Sequence, residues 1–200
     1  MPTTLSTIKL PLHTACLAFG PSSQENWLAV GSYELSACRT IRQGRLHILD
    51  VADSHADNLL VVELFSHELP GVFDLKWNTA PAGNAELGLA LADGSVTIIA
   101  PPLSEGCWGQ PDTLVVEEGS VATCIDFSPR AGTMVASTAS GQLSLLQATE
   151  SSLVLGETWK AHELEAWCCA FWPSQLWPWG WSLLHTSKLC PGLPGLHRLL

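Results

Sequence analysis

The chain has 200 residues, a net charge of −10, 46% hydrophobic residues and only 14% charged ones. That length supports one domain with a sizeable core, and recurrent Gly and Pro with few charges suit short strands joined by tight turns. The carboxylate excess argues against the phosphate backbone of a nucleic acid or an anionic membrane surface as a partner.

Taken in chain order, Leu5–Leu10 alternates apolar and polar residues and predicts a first strand, placed to serve as the outer strand that closes a ring. A repeated unit then begins. Its first strand is read at Cys16-Leu17-Ala18-Phe19-Gly20-Pro21 and its second at Trp27–Gly31; a tight turn ends at Gln43-Gly44, and the third and fourth strands are Arg45–Leu49 and Leu60–Leu64. The next unit runs Asp74-Leu75-Lys76-Trp77, Leu87–Leu91, the turn Asp93-Gly94, Ser95–Ile99 and Leu114–Glu117. A third follows with Cys124-Ile125-Asp126-Phe127-Ser128-Pro129, Met134–Thr138, Ser140-Gly141, Gln142–Leu146 and Leu153–Leu155. Cys168-Cys169-Ala170-Phe171-Trp172-Pro173 opens a fourth. Asp-Gly is a strong hairpin signal, because Gly takes a positive φ without a Cβ clash.

The aromatic residues at 19, 77, 127 and 171 are spaced by 58, 50 and 44 residues. A period near 40–45 with four strands per unit predicts a β-propeller, and rim loops absorb the longer early spacings. The fold class is therefore all-β: a partial WD40-type β-propeller of about three four-stranded blades plus the first strand of a fourth, over residues 1–172. Residues 173–200 read as a separate tail. Trp172, Trp177, Trp179 and Trp181 alternate with Pro173 and Pro178, and prolines remove the donors a central strand needs. Charge shifts there too: residues 1–165 carry 7 − 19 = −12, and residues 166–200 carry +2. This break is the mark expected of a splice or frame variant, with a hydrophobic docking segment as the alternative. A blade lacking a neighbour leaves an apolar face open, so the chain is expected to be marginally stable or aggregation-prone.

Seven cysteines with no Cys-x-x-Cys pair signal neither a disulfide framework nor a zinc site. No cofactor-binding pattern is present, since a Gly-rich phosphate loop is lacking. The sequence shows no secretory leader and no apolar run long enough to span a membrane, so a cytoplasmic setting fits. Neither Gly-x-Ser-x-Gly nor His-Glu-x-x-His occurs. One candidate for a general base is His162, beside Glu163 and Glu165; neutral imidazole suits proton transfer near pH 7. The competing reading is stronger: Ser66-His67-Glu68-Leu69 and Ala161-His162-Glu163-Leu164 resemble each other, which makes both histidines framework residues. Cys16, Cys124 and Cys168 share a repeat position and read as small core residues rather than thiolate nucleophiles. Asp93 reads as a turn residue, and Trp77 and Trp167 as buried packing before substrate stacking.

Several of these phrases, above all Trp159-Lys160-Ala161-His162-Glu163-Leu164-Glu165-Ala166-Trp167, resemble the WD-repeat family of diphthine methyl esterases, also called the diphthine methyltransferase family. Leu28–Leu35, Asp74–Trp77, Leu91–Ser95 and Ser140–Leu143 add to the likeness, which covers residues 10–171. The terminal Trp-Asp of the repeat is missing; Leu49-Asp50 only approximates it. In such repeats a His follows Gly between blades, and here Ser66 or Ala161 replaces that Gly. The resemblance implies an esterase that removes the methyl ester from methylated diphthine on elongation factor 2, its protein substrate, during diphthamide biosynthesis. A non-catalytic interaction scaffold and an inactive short form of such an enzyme are the alternatives.

Overall fold

In the computed structural model, residues 6–37, 41–54, 58–78, 85–102, 108–128, 132–149, 152–171 and 183–184 are described, with backbone only at 53–54, 58–59 and 183–184. Among them there is no α-helix, only a 3-10 turn at Ser22–Gln24. Three four-stranded antiparallel sheets follow one another, each in simple chain order. The first blade is β1 (Thr14–Phe19), β2 (Trp27–Leu35), β3 (Arg42–Ser54) and β4 (Asn58–Pro70). The second is β5 (Val72–Trp77), β6 (Leu87–Leu91), β7 (Ser95–Ile99) and β8 (Asp112–Val115). The third is β9 (Ala122–Phe127), β10 (Thr133–Thr138), β11 (Gln142–Ala148) and β12 (Leu153–Lys160). β13 (Ala170–Phe171) opens a fourth and pairs with β14 (Leu183–Leu184).

Strand register confirms the repeat residue by residue. Phe19 faces Leu28, Trp77 faces Leu87 and Phe127 faces Met134, so the three aromatics hold one position in successive sheets. Because strand side chains alternate, each first strand sends one set of residues to the blade before it and the other to the blade after it. Leu75 and Trp77 join Ala29, Leu46 and Ile48 in the core between blades one and two. Ile125 and Phe127 join Ala90, Val96 and Ile98 between blades two and three. Cys169 and Phe171 join Cys124, Val135 and Leu143 between blade three and β13. In blade one the matching pair, Leu17 and Phe19, packs on no further blade among the described residues and stays 60% and 59% exposed, against 2% for Leu75 and 0% for Ile125.

Polar bonds lock the same seams. The Ile125 N–H donates to Asp74 Oδ2 (3.1 Å) and the Phe171 N–H to Asp126 Oδ2 (2.7 Å), each tying a blade's first strand to the next blade's. Farther out, the Leu153 N–H donates to Asp112 Oδ2 (2.6 Å). Within each sheet the buried polar residue at one third-strand repeat position bonds to an exposed residue of strand four: His47 Nδ1 to Glu63 (2.8 Å), Thr97 to Thr113 (2.8 Å) and Ser144 to Thr158 (3.0 Å). Each satisfies a polar group that burial would otherwise penalise.

Three expectations are corrected. Residues 6–10 form no strand. The fourth strand of blade two is Asp112–Val115, and Val116 and Glu117 lie in the turn beyond it, both amides donating to the Gly94 carbonyl. Gly44 ends no turn: it lies inside β3 opposite Tyr33, since β2 and β3 continue past the point where the other hairpins reverse. Gly44 is needed for close approach, because a Cβ there would meet the Ser32 carbonyl at 2.5 Å and the Gly71 Cα at 2.6 Å. Gly94 (φ 81°) and Gly141 (φ 88°) do make the expected tight turns. Within 173–200 only Leu183–Leu184 is described, paired with β13, so the reading of that stretch as a separate tail lies outside the described residues.

Candidate functional site

The loops from each fourth strand to the next first strand, and the turns between second and third strands, lie on one rim. Around blade three this rim is built from 116–121, 139–141 and 161–169. The Ala161 and His162 amides both donate to the Gly141 carbonyl (2.9 and 3.0 Å), the Ala166 amide donates to the Thr138 carbonyl (3.2 Å), and the Ala139 amide donates to the Val121 carbonyl (2.9 Å). The Thr123 hydroxyl bonds the Ala166 carbonyl and shares a hydrogen bond with Ser137 (2.9 Å). The Ser140 hydroxyl donates to Glu117 (2.8 Å), and Lys160 Nζ donates to the Ser140 carbonyl (2.6 Å). Burial by itself would raise the Glu117 pKa, but hydrogen bonds from Thr138, Ser140 and Ser120 and the Lys160 charge outweigh it and hold the carboxyl below its usual range.

His162, the candidate base, sits on this rim half-buried, with its backbone fixed by the bond to Gly141. It is not the repeat equivalent of His67. Leu46 faces His67 and Leu143 faces Trp159, so His67 corresponds to Trp159, and His162 corresponds to Pro70 and Glu117. The path from the last fourth-strand contact to the first-strand aromatic is eight residues from Leu69 to Trp77 but ten from Ala161 to Phe171, so counting back from the aromatic misaligns the two. The framework argument from equivalence therefore lapses. His67 lies on β4 with its ring stacked on Phe65 at 6.1 Å.

Cys16 and Cys124 behave as core groups, whereas Cys168, expected in the core by its repeat position, is exposed and the next residue, Cys169, is buried in the seam instead. Burial, aided by the Asp74 charge, pushes Cys16 up to about 12. Cys124 is raised further, by its hydrogen bond with the Cys169 thiol and then by burial; Cys168 is raised by burial and by Cys124. All four described thiols are free, and a thiolate nucleophile is disfavoured at each. Asp93 accepts from the Ser95 amide (3.1 Å) and hydroxyl, as a turn residue should. Trp77 is 7% exposed and donates to the Ala18 carbonyl (3.3 Å), a packing role. Trp167 differs from expectation: it stands 63% exposed, with Leu164 beside it in sequence at 76%. Sequence reading assigned it to packing because most tryptophans are buried; only the position of Ala166 and Cys169 in the seam reveals which way the loop turns. Among the described residues no group of His, Cys, Asp and Glu is placed to hold a metal ion.

Three sheets sharing one register, each sealing its neighbour, define a WD-repeat β-propeller architecture. Crystal structures of Sqt1 from Chaetomium thermophilum agree, with TM-scores of 0.61 and 0.63 at 19% and 17% identity, covering 81% of this chain and 39–40% of theirs. The resemblance read from the sequence is borne out. The chain is 35% identical over 144 residues to human diphthine methyltransferase, an alignment covering 66% of this chain and 32% of that protein. It is 23% identical over 147 residues to diphthine methyltransferase of Schizosaccharomyces pombe, covering 74% and 42%. The chain thus spans between about a third and two fifths of these relatives. No protein-family model matches it.

Proposed function

We propose that this chain belongs to a protein of diphthamide biosynthesis that hydrolyses the methyl ester of methylated diphthine on elongation factor 2. The observation that carries this reading is the 35% identity to human diphthine methyltransferase over 144 residues. Hydrolysis requires an activated water or nucleophile, a base and donors for the oxyanion. His162 is the candidate base, on a rim loop whose backbone is held by hydrogen bonds. Residues 1–172 form the propeller unit and residues 173–200 a separate tail, and the setting is cytoplasmic. No helix of the described residues is long and apolar enough to cross a membrane.

The test is incubation of the purified chain with elongation factor 2 bearing methylated diphthine. Methanol release that His162→Asn abolishes at unchanged melting temperature supports the esterase. Release unaffected by His162→Asn removes that residue from the mechanism. A second reading, a non-catalytic interaction scaffold, is favoured by the exposed Leu164 and Trp167 and by the protonated, shielded thiols. Binding without methanol release supports it, and neither binding nor release marks an inactive form.

A further inference from the structure

We propose that the rim loop 161–169 is a docking site for a basic polypeptide segment, with Trp167 as its apolar anchor. The inference is independent of the esterase reading. Its basis is the contrast between a fixed backbone and the exposed apolar side chains of Leu164 and Trp167. Four hydrogen bonds, from the Ala161, His162 and Ala166 amides and to the Ala166 carbonyl, pin this loop to blade three, while Ala166 (2% exposed) and Cys169 (3%) anchor its end in the seam. Between those anchors Leu164 and Trp167 point their apolar surface outward, at 76% and 63% exposure.

A held loop that displays tryptophan has already lost the backbone entropy that binding would otherwise cost. Tryptophan is also the residue type that most often dominates binding energy at interfaces. The other large exposed apolar residues of blade three, Val154 and Leu155, lie on the outer strand β12, away from this rim.

Charge selects the partner. In the contiguous loops 116–121, 139–141 and 161–169 the charged side chains are Glu117, Glu118, Glu163 and Glu165, apart from His162. Glu118, Glu163 and Glu165 are exposed, and with Glu117 they outnumber the neighbouring Lys160 ammonium, which donates to the Ser140 carbonyl and keeps its charge. An anionic rim around an apolar anchor attracts lysine or arginine side chains, and an indole face adds a cation–π contribution.

The experiment titrates the intact chain into a short fluorescein-labelled peptide alternating lysine and valine, with a glutamate–valine peptide as the charge control, and reads anisotropy. Saturable binding of the lysine peptide alone is expected, weakening as salt rises. Trp167→Ala should weaken it by about tenfold or more, the scale of an interface anchor, while Val154→Ala on β12 leaves it unchanged. Glu163→Gln with Glu165→Gln should flatten the salt dependence. Circular dichroism confirms that each variant keeps its strands, and Leu164→Ala gives a second anchor variant. The proposal is overturned by absent binding, by equal binding of the glutamate peptide, or by Trp167→Ala and Leu164→Ala variants that both fold and bind within twofold of the parent.

Discussion

Leu17 and Leu75 hold one repeat position, the first-strand residue that faces the preceding blade, yet among the described residues only Leu75 meets such a blade. Leu75 is 2% exposed in a core with Ala29, Leu46, Ile48 and Leu89; Leu17 is 60% exposed. Truncating Leu75 to alanine removes buried methyl groups and leaves a cavity, at a cost of about 2–5 kcal/mol. The same change at Leu17 forfeits only the buried fraction of a side chain whose full burial is worth about 1.5–3 kcal/mol, hence about 1 kcal/mol at most. Urea unfolding followed by circular dichroism reads the difference. With m of about 1–3 kcal/mol/M, the Leu75→Ala midpoint should fall by roughly 1–2 M, or the variant should be unfolded in buffer, while the Leu17→Ala midpoint stays within about half a molar of the parent's. Equal losses at the two positions would refute the reasoning, because they would require the open face of blade one to be covered in solution.

Three more outcomes follow from individual side chains. Burial raises the Asp126 pKa, countered in part by the hydrogen bond from the Phe171 amide. With the folded pKa above the unfolded one, ionisation of Asp126 costs stability, and that cost is absent below the unfolded value near 3.8 and grows as pH rises through the folded one. Asp126→Asn, which can still accept from Phe171, should therefore gain on the parent in melting temperature between acid and neutral pH, whereas Asp126→Ala should lose about 1 kcal/mol from the missing acceptor. Gly141→Ala combines a φ of 88° with a Cβ 2.3 Å from two carbonyl oxygens, and Gly119→Ala has a φ of 75° with open space around it; the first should cost well above about 1 kcal/mol and the second about 1 kcal/mol, as thermal melts would register. Iodoacetamide labelling mapped by mass spectrometry should modify the exposed Cys168 before Cys16, Cys124 or Cys169, and faster modification of buried Cys124 would contradict its packing.

What the chain spells out locally is the blade. Alternation in Arg45–Leu49, Ser95–Ile99 and Gln142–Leu146 and the Gly94 and Gly141 turns are short-range properties, because strand pleat and positive φ depend on neighbours in sequence. The aromatic series Phe19, Trp77 and Phe127 was legible for the same reason: a repeated packing problem selects a repeated residue. Tertiary structure decided the rest. It set the repeat counterparts of His67 and His162, since inter-blade loops of unequal length shift the register between them. It also determined that Leu17 and Phe19 are bare while their equivalents are buried, and that Trp167 points outward. Burial is a property of what lies across a seam, and the residues that close a seam come from another blade some 50 positions away. No local pattern encodes that distance.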